Sequence, residues 1–229
     1  MRNLIIIGAG GFGAEAAWVV REINAAHTEE SPACGWNFVG FADSDESKRQ
    51  TLHARYPVHG TIGQAAEVFT GCEVWFFCAV GNNDARQRLV AQAGSLGWKA
   101  AVLVHPSALI ADTASVLAGS YVGPGSIVSN NAKVGRHVIV NMHVSVGHDV
   151  VVGDYCQLSP GSRISGFCRI EDLASLGSNA VLMPGTQVGR GALVGACSLA
   201  HGEVAAGTTV CGVPARIIRA APATSCPVP

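Results

Sequence analysis

Two short constellations in this chain have residue types and spacing suited to chemistry. The first is His148–Asp149, in the setting Val146-Gly-His-Asp149. An imidazole titrates near neutrality and takes up a proton readily. A carboxylate next to it can fix the tautomer and stabilise the imidazolium that forms. Turns also favour Asp for reasons unrelated to catalysis, so the pair by itself leaves a solvated corner open. The second constellation is Gly8-Ala-Gly10-Gly11-Phe12-Gly13, a G-x-G-x-x-G run, with Asp43 further on. Such a loop offers backbone N–H groups and a helix N-terminus to an anion and lets a ligand approach the backbone closely. Asp43 stands where a ribose-binding acid sits in NAD sites, but the pyrophosphate of a nucleotide sugar suits the same loop.

These residues need elements to carry them, and the chain uses two different periods. Residues 1–104 alternate strand and helix: strands at Leu4–Ile7, Phe38–Ala42, Glu73–Val80 and Ala100–Val104, helices from Phe12 to about Ala26 and from Asp84 to about Leu96. In the first helix Trp18, Val19 and Ile23 are expected on the buried side with the alanines. The polar segment His27–Trp36 reads as a loop. This βαβ rhythm predicts a small Rossmann-like parallel sheet flanked by helices, about half of a full dinucleotide fold.

At His105–Pro106 the helical spacing stops and a period of six begins. From Ile110 to Val194 in steps of six, every position is aliphatic, and Ala200 and Ala206 extend the phase. Four residues after each aliphatic stands a small or β-branched residue, as at Ala132, Val144, Cys156 and Ala174. Glycine often follows the aliphatic directly, as at Gly135, Gly147, Gly153 and Gly177. Each hexad reads as one short strand plus a corner, with aliphatic and small side chains pointing inward and glycine supplying the corner angles. Three hexads, about 18 residues, close one coil of a parallel β-helix. The fifteen hexads predict five full coils over residues 105–220, with 221–229 as a tail.

Composition narrows the function class. Hydrophobic residues make up 48% and charged residues 14%, with a net charge of −1, which suits a well-buried globular chain. No Lys or Arg run offers a nucleic-acid or anionic-membrane surface. The apolar run Leu4–Ile7 is too short for a signal core or membrane span, and the reading is cytoplasmic. The eight cysteines, Cys34, Cys72, Cys78, Cys156, Cys168, Cys197, Cys211 and Cys226, contain no C-x-x-C pair, and most are expected to be small buried hydrophobes.

The hexads resemble the left-handed β-helix of the hexapeptide acyltransferases, and Gly212-Val-Pro-Ala-Arg216 resembles the segment that ends many of them. The glycine loop, Phe41-Ala-Asp43, Val80-Gly-Asn-Asn-Asp84 and His105–Pro106 resemble the sugar O- and N-acetyltransferases of the sialic-acid and bacillosamine type, which include those acting on UDP-4-amino-sugars and GDP-perosamine. The resemblance implies that His148 is the general base with Asp149 as acidic helper. It implies acetyl-CoA as co-substrate, contacting Gln157, Gly166, Ser178 and Ala196. It implies a nucleotide sugar at Gly10, Gly11, Phe12, Asp43, Ser44, Gly81 and Asn82. Relatives often carry His at the positions of Phe12 and Gln157 and a second acid at that of Ser44. The period independently puts Gly166, at 148 + 18, on the corner of His148 one coil along.

Of the further histidines His105, His137, His143 and His201, His143 stands five before His148, as in the zinc site of γ-class carbonic anhydrases on this helix type. The third ligand would fall at 143 − 36, which is Ser107, so the metal set is incomplete. The resulting expectation is a homotrimeric N-acetyltransferase with active sites between subunits, acting on a nucleotide-linked 4-amino-4,6-dideoxysugar in surface-glycan (lipopolysaccharide/O-antigen) or glycoprotein biosynthesis. The alternatives are a sialic-acid-type sugar O-acetyltransferase, a non-enzymatic nucleotide-sugar-binding protein and an NAD-dependent oxidoreductase.

Overall fold

The computed structural model describes residues 2–26, 35–49 and 51–220. Most of the expected loop His27–Trp36, the tail 221–229, Cys34 and Cys226 lie outside the described residues. Two compact units form: one holds the residues up to Ala108 with Val116–Gly125, the other Leu109–Ser115 with the residues from Ser126 on.

In the first unit, β1 (Arg2–Ile7), α1 (Gly11–Ala26), β2 (Trp36–Ala42), β3 (Leu52–His53), β4 (Tyr56–Pro57), α2 (Ile62–Val68), β5 (Val74–Cys78), α3 (Asn83–Ser95) and β6 (Lys99–Ala100) follow in order. The sheet is parallel with order β2-β1-β5-β6. Leu4, Ile5 and Ile6 of β1 are fully buried, as expected of a central strand covered on both faces. From β1 the chain builds outward in both directions, so a switch point opens between the C-terminal ends of β1 and β5. Helix α1 packs through Gly13, Ala16, Ala17, Val19 and Val20. Trp18, expected on that buried face, points outward at 37% exposed and bonds Glu22 through Nε1. The small residues at 13, 16 and 17 let α1 approach closely: a Cβ on Gly13 would lie 2.0 Å from the Gly8 carbonyl oxygen. Two elements were not expected from the sequence: the β3–β4 hairpin, and α2, although Thr61 and Gln64 have the spacing of the capping box that they form. The strand expected over Ala100–Val104 is two: β6 pairs with β5, whereas Leu103–Val104 pair with Tyr121–Val122.

The second unit is the left-handed β-helix. Two-residue strands recur every six residues and pair in register at a spacing of 18, as in Ser145↔Arg163↔Val181. The strands stack into three sheets, and the repeat runs to about six coils. From Val122 to Val194 every inward aliphatic is at most 3% exposed. Near the end the phase slips. Gln187 pairs with Glu203 and Leu193 with Thr209, so the last coil is two residues short. Val204 and Val210 therefore enter the core, and Ala206, expected to continue the phase, is exposed. Gly212-Val-Pro-Ala-Arg216 then turns the chain into an antiparallel hairpin, Thr209–Gly212 with Ala215–Arg219.

The corners work differently from the expectation. The glycines directly after the aliphatics are not in the left-handed region. They are small because the next coil presses on them: a Cβ on Gly135 would meet Gly153 backbone at 2.7 Å, and one on Gly177 would meet Ala196 N at 2.4 Å. Positive φ falls two residues later, at Asn131, His137, His143, Asp149, Tyr155, Gly161, Phe167, Leu173, Asn179, Gly185, Gly191 and Cys197. At most of these positions the backbone N–H donates to the coil below, as Asp149 N does to Asn130 O at 3.0 Å and Phe167 N to His148 O at 3.1 Å. Cysteines follow the same geometry. Cys156 and Cys168, at inward positions, and Cys78 in β5 are buried, while Cys72 and the corner Cys197 are exposed and Cys211 is half-buried, so burial is less general than expected.

Candidate active site

His148 sits at the corner that follows the strand Ser145–Val146. Its Nδ1 donates to Asp149 Oδ2 at 2.9 Å. The bond orients the ring and leaves Nε2 directed away from the carboxylate. Gly166 stands directly against the ring: a Cβ there would lie 2.6 Å from both Cε1 and Nε2. The 18-residue arithmetic thus places the glycine correctly, and the missing side chain is what leaves room for the imidazole. The N–H of Gly166 donates to no group among the described residues. Phe167, the next residue, sets its ring edge on the imidazole at 4.9 Å between centroids and 88°. It is 62% exposed. The Asp149 carboxyl is held below its ordinary range, first by its bond with His148 and next by one from Asn131.

The other residues expected to meet acetyl-CoA stand elsewhere on the helix. Ser178 and Ala196 occupy the corner after the strands Ser175–Leu176 and Leu193–Val194, one coil apart, with Cys197 N donating to Ser178 O at 2.8 Å. Gln157 lies on the same sheet as those strands, paired with Ile139 and Ser175, and its buried Oε1 accepts no hydrogen bond from the described residues. The structure therefore groups His148, Asp149 and Gly166 on one edge, and Gln157, Ser178 and Ala196 along a different sheet and edge. A larger cleft of about 390 Å³, lined by Arg169, Asp172 and Arg190 among others, holds none of the expected residues.

In the first unit a cleft of about 200 Å³ opens at the switch point, lined by Gly8, Asp43, Ser44, Thr61, Val80 and Gln92 among others. Asp43 Oδ2 accepts from Ala9 N at 2.7 Å, its Oδ1 accepts from Asp45 N at 2.9 Å, and Lys48 Nζ lies 3.3 Å away. Burial pushes this carboxyl up, but the bonds from Asp45, Ala9 and Lys48 outweigh it and hold it below its ordinary range. Gly8 needs its glycine for φ +103°, and Gly13 for the close approach described above. A Cβ added to Gly10, Gly11 or Gly81 would meet nothing within 4 Å, so no internal packing demands glycine there. Phe12 packs edge-on against Phe77 and Tyr121. Asn82 caps α3, its Oδ1 accepting from Ala85 N at 2.8 Å.

Residues 3–93 match the PglD N-terminal domain, and residues 131–166 match the bacterial transferase hexapeptide (six repeats). Over 153 residues the chain is 32% identical to GDP-perosamine N-acetyltransferase of Escherichia coli O157:H7, covering 65% of this chain and 69% of that protein. The chain belongs to the hexapeptide-repeat sugar acetyltransferases. Two solved structures align with this acetyltransferase over 95% of its length. The acetyltransferase domain of PglB from Neisseria gonorrhoeae FA1090, in complex with acetyl coenzyme A, has TM-score 0.82 and 29% identity over 99% of its chain. A histidine-to-asparagine variant of perosamine N-acetyltransferase from Caulobacter crescentus, in complex with CoA and GDP-perosamine, has TM-score 0.82 and 26% identity over 97% of its chain.

Two residues that the sequence did not single out bond to the glycine loop and the Gly81–Asn82 turn. Arg86, 1% exposed, donates from Nη1 to the carbonyls of Val80 and Gly81 at 2.8 and 3.3 Å and so braces the Gly81–Asn82 turn. His53, on the β3–β4 hairpin, bonds the Gly10 carbonyl through Nε2 at 3.0 Å. The hairpin left no sequence signal that linked it to the loop. The residues spaced like zinc ligands are separated: His143 is on the corner before that of His148, and Ser107 accepts from Gly125 N and bonds His105. Among the described residues no three His, Cys, Asp or Glu side chains group as a metal site, and no helix is long and apolar enough to cross a membrane.

Proposed function

We propose that this acetyltransferase moves acetyl from acetyl-CoA to the amino group of a nucleotide-linked 4-amino-4,6-dideoxysugar, in bacterial surface-glycan or glycoprotein biosynthesis, with His148 as general base. The observation that carries the reading is the His148–Asp149 pair seated against Gly166. With Nδ1 committed to Asp149, Nε2 is the atom that takes the proton. The sugar amine attacks the thioester carbonyl, a C–N bond forms and the carbonyl oxygen becomes an oxyanion. The unbonded Gly166 N–H is a donor for that charge. His148 removes the proton from the nitrogen, the tetrahedral centre collapses, the C–S bond breaks, and the imidazolium returns the proton to the CoA thiolate. Asp149 stabilises the imidazolium between the two transfers.

The nucleotide end belongs to the glycine loop. Gly10, Gly11 and Gly81 lack side chains that packing would have tolerated, which favours close ligand approach. Phe12 contributes its backbone, since its ring is engaged with Phe77 and Tyr121. Asp43 and Ser44 line the cleft beside them. The division of the acetyl-CoA residues between two edges of the helix supports a homotrimer in which one cofactor bridges neighbours. The test is free-thiol release from acetyl-CoA with a panel of UDP-, GDP- and dTDP-linked amino sugars and their hydroxyl counterparts. Acetylation of an amino member, abolished in His148→Ala, is expected. No amino member acetylated, or turnover retained in His148→Ala, overturns the reading.

A further inference from the structure

Asp149 has two oxygens, and only one of them faces His148. While Oδ2 accepts from the imidazole at 2.9 Å, Oδ1 accepts from Asn131 Nδ2 at 3.1 Å. Asn131 lies 18 residues before Asp149, at the same corner one coil below, and both are left-handed, with φ of 58° and 59°. Asn131 is itself seated from beneath. Its backbone N–H donates to Thr113 Oγ1 at 3.0 Å, again 18 residues earlier. The Asp149 backbone is tied to the same corner through Asn130 O. Three successive coils thus end in one hydrogen-bonded column, Thr113, Asn131, Asp149, which terminates on the imidazole.

We propose that Asn131 is a positioning residue for the acetyl transfer: its side-chain amide clamps the Asp149 carboxylate in the rotamer that holds His148. This rests on the reading of His148 as the base. The clamp is needed because the pair is exposed, His148 by 55% and Asp149 by 37%. An exposed His–Asp contact between chain neighbours gains little alone, since both side chains rotate freely and water competes. A second bond on the far oxygen removes that freedom from the carboxylate. The chemistry of the donor also matters. A Lys or Arg at this corner would place a cation on the carboxylate and weaken its pull on the imidazolium. An amide donates a hydrogen bond and leaves the negative charge to His148.

The test is a double-mutant cycle with Asn131→Gly and Asp149→Asn. Glycine accepts φ near 58° without strain and deletes only the amide. Asn131→Gly should lower kcat about tenfold with both KM values and the melting temperature nearly unchanged. In the Asp149→Asn background the same change should have little further effect, because no carboxylate remains to be held toward the imidazole. An undiminished kcat, or an equal loss in both backgrounds, overturns the inference. His148→Ala separates the two failures. If it is inactive while Asn131→Gly is fully active, the base reading stands and the clamp falls; if it retains turnover, both fall.

Discussion

At the residue scale the proposed site depends on the absence of one side chain and the charge of another. Gly166 has ordinary backbone angles, so alanine would fold there, yet its Cβ would lie 2.6 Å from two imidazole atoms. His148 is half in solvent and can swing aside, so the cost falls on orientation. Gly166→Ala should lower kcat by about 10²-fold with a small change in melting temperature, measured by steady-state thiol release and thermal unfolding; a kcat near wild type would show that the observed ring position is not the working one. Asp149 gives a pH prediction. Its carboxyl is held below the usual range by His148 and then Asn131. A depressed pKa in the folded state means that the anion and its bonds persist as pH falls, and are lost only below that depressed value. Asp149 is therefore ionised throughout the range of about pH 6–9, well above an ordinary Asp value. Where the base is unprotonated in both proteins, at the alkaline end of that range, Asp149→Asn should lower kcat by a constant factor, because the imidazolium that forms loses its carboxylate partner. An unchanged kcat on that plateau would show that Asp149 gives the base no support.

At the element scale the β-helix corner uses glycine for two separate reasons. Gly189 and Gly191 share one corner. A Cβ on Gly189 would meet Ala206 N at 2.6 Å, whereas Gly191 has φ +65° with nothing within 4 Å. Gly189→Ala should cost about 1–3 kcal/mol through overpacking. Gly191→Asn should be close to neutral, because Asn tolerates the left-handed region. Thermal unfolding of the two variants checks this, and equal losses would refute the distinction. The same corner shows what was legible in the chain. The inward aliphatics from Ile110 to Val194 were readable because each must fill the same narrow core. The left-handed position was not, because His143, Asp149, Phe167 and Leu173 occupy it as well as glycine. At Asp149, Phe167 and Leu173 the hydrogen bond to the coil below offsets the local strain, so residue type does not report the angle. The slip after Ala200 was hidden because Ala206 kept the apparent phase. In the first unit, β1 and α1 were clear from apolar runs, but the two-residue strands of the β3–β4 hairpin are too short for any period, which hid His53. Asn131 was within reach of the same arithmetic that found Gly166, by subtracting 18 from Asp149 instead of adding 18 to His148.

At the scale of the whole molecule, the triangular β-helix sorts the proposed acetyl-CoA residues onto different edges. His148 and Gly166 stand on the corner after Ser145–Val146 and Arg163–Ile164; Ser178 and Ala196 stand on the corner after Ser175–Leu176 and Leu193–Val194. Each coil visits the two corners in turn, with a six-residue hexad between them, so they bound one flat sheet face. A cofactor lying along one edge of one copy does not wrap that face to reach the other. In the proposed trimer, two copies side by side would bring the His148 edge of one to the Ala196 edge of the next, and closing that heterologous contact into a ring would give a cyclic assembly. Active-site complementation tests this directly. His148→Ala removes the base from one edge, and Ala196→Trp blocks the cofactor on the other; each homotrimer should be inactive. Unfolded, mixed in equal amounts and refolded together, the two variants should recover about a quarter of wild-type turnover, since random assembly joins two intact edges at one interface in four. No recovery, from mixed trimers shown by size to have formed, would mean that both edges serve the cofactor within a single subunit.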